Sequence, residues 1–330
     1  AKTGVWTANR YLKTANASGI SDVIQDAGFI GLGSTEDVVH WQDADWNGTS
    51  VEWVLAGDTL TIQPAEGASR AVMRAFGPTG SAAAPWRAGT DLSGLFTHVV
   101  VADREVDGET VSVEAHGDLA AMFYGLEGVE SVDLTHLEIT DRTTDVSAMF
   151  SGMTSVTSIG TAEPTAAGAS VPGITLPASM DTSGVTRAAG MFSGMTSLET
   201  ADFSGLTDAG GFMNAPDADL SQMFEGSFAE GGSLTLEDFG NGDGADMTRL
   251  AAKGQTSAGE IGGGLASVRM EDSASGANVK LTAAFRGNAR LADAAFVGVG
   301  SGAGADLTYM LEGCGTEVAK AEAFATGAQT

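Results

Sequence analysis

The sequence predicts an α/β repeat fold. Parallel strands alternate with short helices in a stacked solenoid, and a small β-rich domain precedes it. Three observations lead there. An octapeptide of the form D-x-S-x-M-F-x-G recurs along the second two-thirds of the chain. A strand-like apolar pattern follows each copy. All five tryptophans fall before residue 87, where the composition is still that of an ordinary globular unit.

The elements are taken in order. Residues 1–110 form the predicted β-rich domain, with room for a helix near 8–28. The stretch TSVEWVLAGDTLTIQP (49–64) alternates Val51, Trp53 and Leu55, turns at Ala-Gly-Asp, and alternates again at Leu60 and Ile62, which is the pattern of a hairpin. Residues 65–95 carry glycine and proline breakers and read as loop. FTHVVVADREV (96–106) reads as a further strand.

Residues 111–330 form the predicted solenoid of about seven units. The octapeptide begins at 118, 145, 187, 219, 246, 280 and 306. Its aromatic position falls at 123, 150, 192, 224, 251, 285 and 311, so the unit is about 26 residues with loop insertions. Aspartate at the first position can cap a helix through its carboxylate. Glycine at the eighth can take the left-handed conformation that ends one. Each copy is therefore expected to hold about two helical turns, with the Met-Phe pair inward.

The pattern after each octapeptide is L-x-x-L-x-L, the strand signature of a leucine-rich repeat. It is carried by Val129, Val132, Leu134, by Val156, Ile159, and by Leu198, Ala201, Phe203. Leu265, Val268, Met270, then Leu291, Ala294, Phe296, and Val318, Ala321, Ala323 continue it. The copy near 234–239 fits poorly, because Glu237 falls on a core position. The prediction is thus a leucine-rich-repeat-like solenoid, in which one unit cannot bury its apolar face and neighbours share a core.

The runs DVSAMFSGMTSVTSI (145–159) and VTRAAGMFSGMTSLETADFSGL (185–206) resemble the repeat of BspA-type leucine-rich-repeat bacterial surface proteins. So does the lead-in Asp181, Thr182, Ser183, Gly184, Val185. The resemblance covers about residues 49–320, more loosely over 225–280. It implies an exported, cell-surface protein of the adhesion type with no catalytic residues to transfer. Alanine in place of phenylalanine at 251, the acidity and the long inserts depart from the family pattern.

Charge narrows the function. Sixteen Lys+Arg stand against 43 Asp+Glu, a formal net charge of −27 in 330 residues. Nucleic-acid binding needs cationic contacts to phosphate, and docking on an anionic membrane needs the same sign of charge. Neither partner is expected. The chain opens AKTGVWTANR, without the basic and apolar regions of a signal peptide, and no apolar run reaches the ~18 residues of a membrane span. Cys314 is the only cysteine and has no intramolecular disulfide partner. It reads as a packed thiol.

His40, His98, His116 and His136 lie in different segments and do not form a metal-ligand pattern. A Ser-His-Asp triad has no G-x-S-x-G elbow to support it. The string GNGDGAD (240–246) offers oxygen ligands for calcium but lacks the distal glutamate of an EF-hand loop. It reads as a turn ahead of Asp246. No cofactor and no metal are expected.

Strand alternation instead places Glu130, Asp133, Glu199, Thr200, Asp202, Arg269 and Asp293 on the outward face. These residues are the candidate ligand face. The expected role is a non-enzymatic, extracellular bacterial binding and adhesion protein. Its partner would be a host or neighbouring-cell surface protein or glycan. The alternative is a structural subunit of a surface layer or filament, self-associating through an uncapped C-terminal repeat.

Overall fold

The computed structural model describes residues 38–42 and 51–315, apart from 74, 88, 90–91, 162–172, 178–179, 207–211, 257–258 and 262. The helix expected near 8–28 and the strand expected at 318–323 lie outside the described residues.

The chain begins with β1 (Val38–Gln42), antiparallel to β2 (Val51–Ala56). Then β3 (Thr59–Pro64) pairs with β2 across Gly57-Asp58, the hairpin that the alternation predicts. Gly57 sits at φ +60, which the tight turn requires. The stretch 65–95, read as loop, holds a short strand β4 (Ala71–Met73) and a 3-10 turn at Gly80–Ala82. The run 96–106 splits into β5 (His98–Val101) and β6 (Arg104–Val106). β6 forms a hairpin with β7 (Glu109–Val111), and β8 (Val113–Ala115) follows.

The repeats contribute β9 (Ser131–Asp133), β10 (Leu137–Ile139), β11 (Ser158–Thr161), β12 (Gly173–Leu176) and β13 (Thr200–Asp202). They continue with β14 (Gly232–Glu237), the small hairpin β15 (Gly254–Thr256) and β16 (Gly259–Ile261), then β17 (Leu265–Glu271) and β18 (Asp293–Val297). One sheet of eleven strands runs β1-β2-β3-β5-β9-β12-β11-β13-β14-β17-β18. From β3 onward every pairing in it is parallel. A smaller parallel sheet, β10-β8-β4, lies beside it. The expected strand anchors within the described residues are all buried. One hydrophobic core runs from Val51 to Met310.

Among the described residues the repeat helices of the α/β expectation are absent, and the fold class is corrected to nearly all β. Strand makes up 32% of the described residues and helix 1%. The reason lies in where the octapeptide sends its N–H groups. Number its positions 1 to 8 from the aspartate. The N–H groups of positions 5 and 7 close turns within their own circuit, as in Met149 to Val146 O (3.2 Å) and Ser151 to Ala148 O (3.2 Å). Those of positions 2, 4, 6 and 8 donate to the next circuit. Val146 bonds Arg187 O (2.8 Å), Ala148 bonds Ala189 O (3.0 Å), Phe150 bonds Met191 O (2.9 Å) and Gly152 bonds Ser193 O (2.8 Å).

The same four bonds join every successive pair of octapeptides from 118 to 306. A two-turn helix would leave its first four N–H groups without intrahelical partners. The ladder gives those of positions 2 and 4 acceptors in the next circuit. Its geometry requires a left-handed residue at position 4. Ala121, Ala148, Gly190, Gln222, Arg249, Ala283 and Tyr309 all sit there with φ between 52 and 61.

The ladder aligns side chains in columns. Position 6 stacks Phe123, Phe150, Phe192 and Phe224 at centroid separations of 5.6, 5.3 and 5.1 Å. Trp86 extends this column over Phe123 at 6.4 Å. Ala251 interrupts it before Phe285. At position 1 the aspartate caps the turn rather than a helix: Asp145 Oδ1 accepts the Ser147 N–H at 2.8 Å, and Asp219, Asp246 and Asp306 do the same two residues on.

Candidate binding face

The outward residues of the large sheet lie in rows, because parallel pairing in register puts like positions side by side. Ser158, Thr200, Ser233, Ser267 and Asp293 form one row. Asp202, Thr235, Arg269 and Ala295 form a second. Glu237, Glu271 and Val297 form a third. Neighbours within a row are about 4.8 Å apart. The inward partners Ala201, Leu234, Leu236, Val268, Met270, Ala294 and Phe296 are buried, which fixes the outward orientation of these rows.

Four of the seven predicted face residues are thereby brought together. Thr200 and Asp202 on β13, Arg269 on β17 and Asp293 on β18 all stand exposed within the run β13-β14-β17-β18. Glu199 is exposed immediately before β13. Asp133, on β9, belongs to the same sheet face, in a row with Thr175 and Gly160. Glu130 precedes β9. These two lie three strand spacings from β13, about 14 Å away, on the side opposite β18.

The sequence reading put Glu237 on a core position, where the structure exposes it, and did not single out Glu271. The register of β14 explains the first: Leu234 and Leu236 point inward opposite Val268 and Met270, so Glu237 points out. Alternation from Leu234 would have found it.

The face is acidic and partly tied down. Asp133 Oδ1 accepts from the Thr135 N–H (2.9 Å), and Asp202 Oδ1 from the Ser204 N–H (3.0 Å) and hydroxyl (2.7 Å). Arg269 pairs with Glu271. Glu199, Glu237 and Asp293 have no cationic partner among the described residues. The local field is therefore negative, with hydroxyl groups between the carboxylates.

Other constellations are built differently. His98 Nδ1 lies 2.8 Å from Ser131 Oγ, but Asp58 Oδ2 stands 4.0 Å from the other ring nitrogen and is largely exposed. That carboxylate is too far to orient the imidazole by a hydrogen bond. His116 lies beside Glu114 at 2.6 Å, and Arg142 contacts its Nδ1 at 3.3 Å. Glu114 also takes Arg70, whose guanidinium holds its carboxyl below the usual range. His136 pairs with Asp103 at 2.7 Å. His40 has no described side chain.

In the GNGDGAD string, Asp243 Oδ1 accepts the Ala277 N–H (2.8 Å) and Asn241 Oδ1 accepts the Ser275 N–H (2.8 Å). These oxygens join circuits rather than converge on an ion. Gly242, Gly276 and Gly302 stack there so closely that a Cβ would fall 2.0 to 2.5 Å from a carbonyl oxygen of the preceding circuit. No group of three or more metal-type ligands occurs among the described residues. Cys314 is half-buried, donates to Phe285 O at 3.1 Å, and has its pKa pushed up by burial. No helix among the described residues is long and apolar enough to cross a membrane.

Family models, curated proteins and solved structures were compared with the chain, and none matches at a significant level.

Proposed function

We propose that the chain is a non-enzymatic binding module acting at a bacterial cell surface. Its ligand face is the outward rows of β13, β14, β17 and β18. The observation that carries this reading is the register of those four strands, which aligns Thr200 with Ser233, Ser267 and Asp293, and Asp202 with Thr235 and Arg269, across a broad, acidic, hydroxyl-rich surface. Extended faces of stacked repeats are suited to surface recognition. A negative field steers cationic groups toward it and weakens with salt. The resemblance of the octapeptide to BspA-type repeats points to a host or neighbouring-cell partner, protein or glycan.

The test is binding of the purified chain to whole cells and to immobilised cationic and neutral matrix components, at low and high salt. The Asp202→Lys/Asp293→Lys double variant is expected to bind about tenfold more weakly, a loss of ~1.4 kcal/mol. Reversing Glu312, on the turn side of the molecule, should leave binding unchanged. A folded chain that binds none of the probes would overturn the proposal, as would equal losses from the two reversals.

A further inference from the structure

One outward row of the large sheet runs Asp133, Thr175, Gly160, Asp202, Thr235, Arg269 across β9, β12, β11, β13, β14 and β17. Every member but Gly160 carries a polar side chain. Glycine inside a strand weakens it, and it marks a bulge or bend, a close approach of another backbone, or the approach of a ligand. The neighbouring Gly173 on β12 has an internal reason. Its φ is +131, and a Cβ there would fall 2.1 Å from Ser158 Oγ and 2.5 Å from Ser158 O. Gly160 has none. Its φ is not positive, and β11 pairs with both neighbours without a shift of register. A Cβ at 160 would meet only Asp202 O among the described residues, at an ordinary contact of 3.7 Å.

The missing side chain leaves a notch between Thr175 and Asp202, which stand two strand spacings apart, about 10 Å. The backbone of β11 is its floor. Thr175 with Asp133 behind it forms one wall, and Asp202 with Thr200 forms the other. Each carboxylate is fixed through one oxygen. Asp133 Oδ1 accepts from the Thr135 N–H (2.9 Å) and hydroxyl (2.5 Å), and Asp202 Oδ1 from the Ser204 N–H and hydroxyl. The two Oδ2 atoms and the hydroxyls of Thr175 and Thr200 have no partner among the described residues. The next cation in the row, Arg269, lies two strands beyond Asp202 and pairs with Glu271.

We infer that the notch over Gly160 seats one sugar ring of a neutral glycan. The inference rests on the outward sheet face being the binding face, and it names what that face takes. The walls offer acceptors and hydroxyls, so the ligand must bring several donors on a rigid body of about the notch's width. A sugar ring carries hydroxyl groups around its rim. A carboxylate oxygen accepts more than one of them, and a threonine hydroxyl both gives and takes. Hydroxyl-to-carboxylate bonds are among the shorter and stronger hydrogen bonds. A protein partner is held by aromatic or apolar anchors in desolvated pockets, and this notch has no apolar wall. A lone cation would pair with an exposed carboxylate anywhere on the face and would not call for a bare floor.

Binding of the whole chain to immobilised neutral oligosaccharides of hexose and N-acetylhexosamine units tests the inference, with oligolysine as the contrast. The wild type should hold a neutral oligosaccharide equally at low and high salt, because no charge pair is made. Gly160→Leu fills the notch at a position whose backbone accepts a side chain. It should match the wild type in circular dichroism and urea midpoint, lose the oligosaccharide, and keep oligolysine. Thr175→Val removes one hydroxyl at constant shape and should weaken oligosaccharide binding several-fold. The inference is overturned if no neutral oligosaccharide binds, if high salt removes the binding, or if either variant, folded, binds like the wild type. Oligolysine held by the wild type and lost from Asp202→Lys/Asp293→Lys would in each of those cases leave the acidic face standing as a binding face, so the two readings fail separately.

Discussion

At the scale of single residues, the backbone at position 4 of the octapeptide decides the fold. Alanine, glutamine, arginine and tyrosine all accept φ near +55 there, at about 1 kcal/mol each relative to glycine. The ladder bond each one donates offsets that cost. A β-branched residue does not tolerate the conformation. Gln222→Val is therefore expected to destabilise by about 2 kcal/mol, whereas Gln222→Gly should stay within about 0.5 kcal/mol of the wild type. Denaturant titration of the two variants reads the difference directly.

This column also shows where sequence reasoning stopped. Glycine at position 8 was legible as a left-handed residue, and the structure places Gly125, Gly152, Gly194, Gly226, Gly287 and Gly313 there with positive φ. Position 4 was not legible. Its residues are ordinary helix formers, and nothing in alanine or arginine announces a left-handed backbone. The helical expectation followed from good local propensity, and the neighbouring circuit outweighed it by supplying acceptors that no local pattern displays.

At the scale of the element, the position-1 column is an electrostatic device. Asp118, Asp145, Arg187, Asp219, Asp246, Lys280 and Asp306 follow one another along the stack. Arg187 bonds Asp145 at 2.8 Å and Lys280 bonds Asp246 at 3.0 Å, so each cation separates acids that would otherwise repel. The two cations look like failures of the aspartate motif in sequence. Their role emerges only once circuits are superposed.

The column also sets a pH dependence. Burial raises the Asp246 pKa, but hydrogen bonds from the Thr248 side chain and backbone and from Lys280 outweigh it, so the net shift is downward. Asp306 is lowered by the Thr308 side chain and backbone and by Thr282. A carboxylate depressed in the folded state stabilises the fold fully above its unfolded value, about 3.9. That contribution is lost as pH falls through the folded value. Stability should therefore decline below about pH 4. Urea midpoints at pH 6 and pH 3 should lie closer together in the Asp246→Asn/Asp306→Asn variant than in the wild type.

At the scale of the whole molecule, the stack is a series of similar circuits with one weak joint. Ala251 breaks the aromatic column, and the nearby Asn288 donates to Ala251 O at 2.8 Å while its Oδ1 is buried without a partner. A circuit with less aromatic packing and an unsatisfied oxygen should open before its neighbours. Hydrogen exchange is expected to be faster at Arg249, Ala251 and Lys253, whose N–H groups cross that joint, than at Ala148, Phe150 and Gly152. Equal protection would remove Ala251 as the joint.

Legibility at this scale was mixed. The repeat, its spacing, the strand anchors and most outward residues of the candidate face could be read, because they depend on local periodicity. Strand order in space could not. β12 inserts between β9 and β11, and β4, β8 and β10 form a second sheet, through long-range pairings with no local sign. The directional ladder has one more consequence. Its hydrogen bonds run along the stack axis, so tension on the two ends loads each interface between circuits in turn rather than all together. The protein should lengthen in steps as circuits peel away, each short circuit of 27 residues paying out about 9 nm of chain. A molecule tethered at one end and gripped at the other would then act as a stepwise extensible spring.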